Sequence, residues 1–342
     1  MTDIGERVQE TADRLAVRHV GVVVVALAGD AVEIRGAGRT GGDRDGEPDA
    51  GTIFEIGSVT KVFTSLALAR MVAAETAGLD EPLAALLPEG AEVPSRNGTE
   101  ITLRHLATHT SGLPRLPKGM LLRALLRPSA PDPYAGCTAA SLLRGLARTR
   151  LGAVPGRRFR YSNLGAGLLG LALAHRAGTD YETLIAREVC APLGLSDTVI
   201  TADGDRAARL AHGHDRRRRP AQAWHLADLA GAGGLRSTAC DLAAFLRAQL
   251  DDGTGETAEA VRLTRQTEHR ITPFSWIHLG WMGRRLHPRQ GARLAIWHNG
   301  MTGGFSSFLG FDPERGTAVA VLSNTQRSVD RPAFDLLDSL EV

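Results

Sequence analysis

The sequence predicts an α+β protein: an antiparallel β-sheet flanked by N- and C-terminal helices, with a mostly helical domain inserted between two groups of strands. Three observations lead there. Strand-like segments gather at both ends of the chain, around 20–38 and 276–323. From about residue 79 to 235 the spacing is helical and is punctuated by loops bearing Pro and Gly. Amphipathic helical patterns open and close the chain. The expected division is therefore 1–78 with 237–342 as a sheet domain, and 79–236 as the inserted helical domain.

Taken in order, residues 3–18 place Ile4, Val8, Ala12 and Leu15 on one helical face. Val20 to Ala28 is nearly continuous in β-branched residues, as in a strand covered on both faces, and Gly29-Asp30 turns it into a partner strand over 31–38. A polar loop over 41–51 leads to a short strand, Thr52 to Ile56, and then a long apolar helix to about Glu75. Thr102 starts a helix carrying Leu103, Leu106 and Ala107 inward; further helices are expected over 138–149, 164–177 and 181–190. The apolar piece 120–126, framed by prolines, reads equally as a core helix and as a flap over a pocket. Ser237 or Thr238, with Asp241 in the first turn, caps another helix. After a variable stretch (251–275), strands are expected at 276–286, 292–298, 304–311 and 316–323, and a helix at 330–340.

Composition excludes several classes. With 43% hydrophobic and 23% charged residues over 342 positions, the chain has material for a real core. A formal net charge of +2 implies no polyanionic partner, and Arg216 to Arg219 read as a solvated hairpin tip, so no nucleic acid is expected. Cys137, Cys190 and Cys240 have no metal or disulfide spacing and read as small buried hydrophobes. The first residues lack the features of a secretory signal, and no apolar run reaches a membrane span, so a cytoplasmic location without membrane partners is expected.

The chemistry is concentrated in three stretches. Ser58 falls between a short strand and an apolar helix, where backbone N–H groups are unpaired, and Lys61 lies one turn on. A serine hydroxyl is a nucleophile only when a base takes its proton, and a lysine serves as base only if burial lowers its pKa. Taken alone, the pair also fits an N-capping serine and a solvated lysine. Tyr161 and Asn163 precede a helix: a phenol can relay a proton, and an amide can hold an ester or amide group. Last, Trp297-His298-Asn299-Gly300-Met301 leaves a strand with a glycine that lets a ligand approach the backbone. The N–H groups of Ser58 and Met301 would form an oxyanion hole.

Together, Ser58-Val59-Thr60-Lys61, Tyr161-Ser162-Asn163 and His298-Asn299-Gly300 resemble the serine β-lactamase and D-alanyl-D-alanine peptidase superfamily, in its class C β-lactamase-like branch of esterases, peptidases and transacylases. The segments 103–114, 232–238 and 304–313 are similar to the same branch, and the likeness runs from about residue 15 to 325. It implies a β-lactamase/transpeptidase-like fold and an acyl-enzyme reaction that needs no cofactor and no metal. Ser58 would be the nucleophile, Lys61 its base or the activator of Tyr161, and Tyr161 the proton shuttle. Ser58 and Met301 would hold the oxyanion, while Asn163, His298, Asn299 and Gly300 would bind substrate. Which of Lys61 and Tyr161 takes the first proton stays open at this stage.

One departure bears on substrate. Penicillin-targeting members of this superfamily carry lysine where this chain has His298, and a histidine is largely neutral near pH 7. Recognition of a substrate carboxylate is weakened accordingly. The expected function is a serine hydrolase or acyltransferase cleaving an ester, thioester or amide of a small molecule, with an amine or alcohol acceptor if Trp224, Trp276, Trp281 and Trp297 help exclude water. The alternatives are an ATP-independent transacylase of small-molecule biosynthesis, and a β-lactamase or D-alanyl-D-alanine carboxypeptidase. His105 and His109 read as structural.

Overall fold

The computed structural model describes residues 3–42, 45–117, 120, 132, 134, 136–251, 253–287, 289 and 291–341. The stretch 121–126, read above as a core helix or a flap, lies outside the described residues. Helix α1 (Ile4–Ala16) leads into β1 (Gly21–Ala28) and β2 (Ala31–Gly38), the predicted hairpin. The remaining strands are β3 (Phe54–Glu55), β4 (Arg236–Ser237), β5 (His269–Thr272), β6 (Ser275–Ile277), β7 (Met282–Arg285), β8 (Leu294–Met301), β9 (Ser306–Asp312) and β10 (Thr317–Ser323). Eight of them form one antiparallel sheet in the order β2-β1-β10-β9-β8-β7-β6-β5, so the two ends of the chain meet at β1 and β10.

Strand periodicity splits β1 between two cores. Val22, Val24 and Ala26 face α1 and a C-terminal helix (Asp330–Ser339), while Val23, Val25 and Leu27 face the other side. That other side is covered by α2 (Thr60–Ala73) and by helices Ala239–Leu250 and Glu256–Gln266, with Phe63 and Phe245 stacked at 4.2 Å. α2 is buried around most of its circumference because it separates two cores. Val62, Phe63 and Leu66 belong to the sheet side. Leu68 and Met71 join the helical side, built from Leu103, Leu106, Leu142, Leu146, Leu168 and Leu173. The N-terminus of α2 thus opens where the two cores meet.

Several expectations are corrected. The stretch 276–286 is two strands, β6 and β7, because Gly280 turns the chain at φ 74° against Ser65 and Lys61. The variable stretch holds both helix Glu256–Gln266 and β5. Thr52 to Ile56 shortens to β3, which pairs only with β4 and not with the large sheet. The helix at 181–190 keeps α-geometry only over Tyr181–Ile185, then widens to a π-turn. Cys240 is exposed, whereas Cys137 and Cys190 are buried. The arginine run is a tip, closed by a bridge between His214 and Pro220 and by Arg219 on Asp215 at 2.7 Å. Among the described residues no helix is long and apolar enough to cross a membrane.

Candidate active site

β3 ends in Gly57-Ser58-Val59, a single 3₁₀ turn that runs into α2. Gly57 has φ 50°, and a Cβ there would stand 2.8 Å from the backbone nitrogen of Met301, so only glycine lets the strand end and the turn meet. Gly300 works the same way: a Cβ on it would overlap the carbonyl oxygen of Ile56 and Ser307 Oγ. Behind the turn, buried Glu55 accepts from the Trp224 N–H at 3.2 Å and faces Arg236 at 3.8 Å, with burial pushing its carboxyl pKa upward. This ties the turn to the loop that carries Trp224.

Register directs the Met301 amide. Thr302 N–H donates to Phe305 O at 3.0 Å, and β8 and β9 pair Met301 with Ser306. Antiparallel ladders alternate, so Met301 sits in the non-bonded pair and its N–H points away from β9. On that other side β7 has already ended, since its last pairing is Met282 with Trp297. The N–H therefore faces the Gly57–Ser58 turn, whose own N–H groups precede the helix and lack intrahelical acceptors.

Lys61 is buried, 2% exposed, with its Nζ 3.0 Å from Ser58 Oγ and 2.6 Å from the carbonyl oxygen of Ala232. No carboxylate pairs with it among the described residues. Burial, reinforced by the charge of Arg115, holds its pKa well below the usual lysine value. The amine donates to the Ala232 carbonyl and lies within hydrogen-bond distance of the serine hydroxyl. The Tyr161 phenol stands beside the Ser58 hydroxyl, and its ring centroid is 4.9 Å from Lys61 Nζ. A nearby ammonium would favour the phenolate. Instead burial dominates and pushes the phenol up to about 12, offset in part by the neighbouring Ser58 hydroxyl and Arg115. A deprotonatable amine and a protonated phenol thus share one hydroxyl.

The other expected residues divide. Asn163 opens helix Asn163–Arg176 and keeps its Oδ1 buried without a partner among the described residues. His298 is buried beside Tyr161, with ring centroids 6.1 Å apart. Strand alternation turns Asn299 the other way: its amide donates to Asp330 of the C-terminal helix at 2.8 Å, so it anchors that helix and is not part of the grouping around Ser58. Gly300 acts through backbone approach. Of the four tryptophans only Trp224 lies at the site, packed on Gly303 and on Tyr134 at 5.2 Å. Trp281 is buried in the core, Trp297 stacks on Phe308, and Trp276 meets His278.

Three groups near Tyr161 and Lys61 received no site role from the sequence, although His109 and Ala232 fall in the family-like segments 103–114 and 232–238. His105 is structural, forming a capping box with Thr102. His109, however, is buried at φ 55° with its ring 4.4 Å from that of Tyr161. Exposed Arg115 places its guanidinium carbon 5.3 Å from the centroid of the same ring. The Ala232 carbonyl that orients Lys61 is a backbone atom, which no residue type signals; only its place in Ala232-Gly233-Gly234 hinted at it.

A family model described as Beta-lactamase matches residues 8–340. The chain is 30% identical over 314 residues to the D-alanyl-D-alanine-carboxypeptidase/endopeptidase AmpH of Escherichia coli K12, covering 88% of this chain and 78% of that protein. It is 26% identical to a β-lactamase of the same organism, over 80% and 75% of the two chains. Among solved structures, β-lactamase/D-alanine carboxypeptidase from Pseudomonas syringae superposes with a TM-score of 0.85 at 19% identity, covering 99% of both chains. The corresponding Yersinia pestis protein, complexed with citrate, gives 0.83 at 24% identity, over 98% and 96%.

Proposed function

From the premise that this chain belongs to the β-lactamase family, whose members are serine hydrolases, we propose that it cleaves an ester, thioester or amide of a small molecule through a covalent Ser58 acyl-enzyme. The single observation that supports this most is Lys61 Nζ at 3.0 Å from Ser58 Oγ, buried and without a counter-ion among the described residues. Neutral Lys61 accepts the hydroxyl proton as Oγ attacks the carbonyl carbon. The developing oxyanion is held by the N–H groups of Ser58 and Met301. Tyr161, a phenol at neutral pH, gives its proton to the leaving oxygen, sulfur or nitrogen and regains one from the Lys61 ammonium. The acyl-enzyme is then released by water, or by an amine or alcohol acceptor.

A second reading, a D-alanyl-D-alanine carboxypeptidase or β-lactamase, is favoured by the 30% identity to AmpH. His298 in the third motif weighs against it. The transacylase reading is supported by the aromatic pair Tyr134 and Trp224 at the site. Turnover of a panel of esters, thioesters, nitrocefin and D-alanyl-D-alanine peptides, with and without amine acceptors, tests all three. Free acid from esters or thioesters is expected. Nitrocefin or peptide turnover alone replaces it with the second reading, and acylated amine outpacing free acid replaces it with transfer.

A further inference from the structure

We propose that His298 is a neutral hydrogen-bond acceptor in the substrate site, selecting substrates that present an N–H or O–H donor beside the scissile acyl group. The proposal rests on the reading of Ser58 as the acylated nucleophile. Its first support is a tautomer set by geometry. His298 Nδ1 lies 2.7 Å from the carbonyl oxygen of Asn299, and a carbonyl only accepts, so Nδ1 carries the hydrogen. Nε2 is left with a lone pair. That atom is buried and has no partner among the described residues, an uncommon state for a buried acceptor that calls for a ligand.

Position supplies the second support. On β8, His298 and Gly300 share a face, and Gly300 packs on the Ile56 carbonyl two residues before Ser58. The imidazole thus stands three residues before Met301, whose N–H is expected to hold the oxyanion. Of the neighbouring donors, Lys61 is engaged by Ala232 and Ser58. His109, whose Nδ1 accepts from the Ser162 N–H at 3.3 Å, carries its hydrogen on Nε2, yet that atom too is unpartnered and does not reach His298. Burial, the largest cause, holds His298 down to about 3, so the imidazole stays uncharged through the working pH range and offers nothing to a carboxylate.

The test uses the full chain and three matched thioesters: an N-acyl-aminoacyl thioester with a free N–H, its N-methyl analogue, and a same-sized analogue ending in carboxylate. Wild type is expected to favour the N–H substrate over the N-methyl one by tenfold or more in kcat/KM. H298L is expected to reduce that ratio to about one, H298Q to keep much of it through its amide oxygen, and H298K to gain on the carboxylate substrate. Equal kcat/KM for the first two substrates in wild type overturns the proposal. So does an unchanged ratio in H298L, or in H298Q a ratio as low as that of a folded H298L. A fluorophosphonate probe run in parallel separates the two levels. Labelling at Ser58 with a flat substrate ratio defeats only the role of His298; absence of labelling defeats the acyl-enzyme reading and the proposal with it.

Discussion

The two walls of the cleft are built on different terms. The sheet-side wall, from the Gly57–Ser58 turn to β8, works through backbone: an N–H aimed by strand register and two glycines that admit close approach. The helical-side wall works through side chains, with His109, Arg115, Tyr161 and Asn163 set on loops and a helix start. Lys61 stands between them, on a helix buried by both cores. Backbone groups on a sheet need no reorganisation when charge develops, whereas proton transfer needs groups whose pKa the surroundings can move. The difference teaches that stability and chemistry are divided by wall, and it can be broken experimentally.

The largest expected effect is at the junction. Ser58→Ala should lower kcat by on the order of 10⁴-fold or more with no loss of folding, read by steady-state kinetics and circular dichroism. On the helical wall, Tyr161→Phe removes one oxygen and should cost about 10²–10⁴-fold in kcat, most for poor leaving groups. Equal losses for good and poor leaving groups would remove Tyr161 as the acid.

On the sheet wall a change without any titratable group should do harm through geometry. Gly300→Ala forces β8 off the Ile56 carbonyl and should destabilise the protein by about 1–3 kcal/mol, while also lowering kcat. Denaturant melts and kinetics on the same preparation check it.

A pH series sharpens the contrast further. Because the pKa of Lys61 is depressed, kcat/KM should rise with pH along a limb well below the usual lysine range and then hold level until the phenol ionises near 12. The linkage has a definite sign. Between the folded and unfolded lysine pKa values the unfolded chain binds the extra proton, so stability rises with pH across that window. Lys61→Met should therefore raise Tm by a few degrees at neutral pH while abolishing turnover. The smallest effect belongs to Asn299→Ala: about 1 kcal/mol of stability through the lost Asp330 bond, with kcat within about twofold.

Legibility in the sequence followed the same division. Local signals were readable: the apolar stripe of α1, the β1–β2 hairpin, the helix start at Thr102, and a cap at Ser237 or Thr238, which the structure places at Thr238. Non-local pairing was not. β3 meets β4 across more than half the chain, and nothing within Thr52 to Ile56 announces that partner. Helix Glu256–Gln266 was missed because it buries only Ala260, Val261 and Thr264, too sparse a stripe to stand out. At the site, Ser58, Lys61 and Tyr161 stood out through their spacing and the family resemblance, and the structure brings them together. Asn299 shared a motif with His298 but not a face, which only strand alternation decides. Arg115 lies outside the family-like segments, and His109 stands within one of them without an assigned role; a tertiary fold sets both against the Tyr161 ring.

The most direct test is intact-mass and peptide mapping after brief exposure to an activated ester or a fluorophosphonate. A single adduct on the peptide containing Ser58, absent in Ser58→Ala and slowed in Lys61→Met, is the predicted result. An adduct on another residue, or turnover that persists without any adduct in Ser58→Ala, would contradict the account.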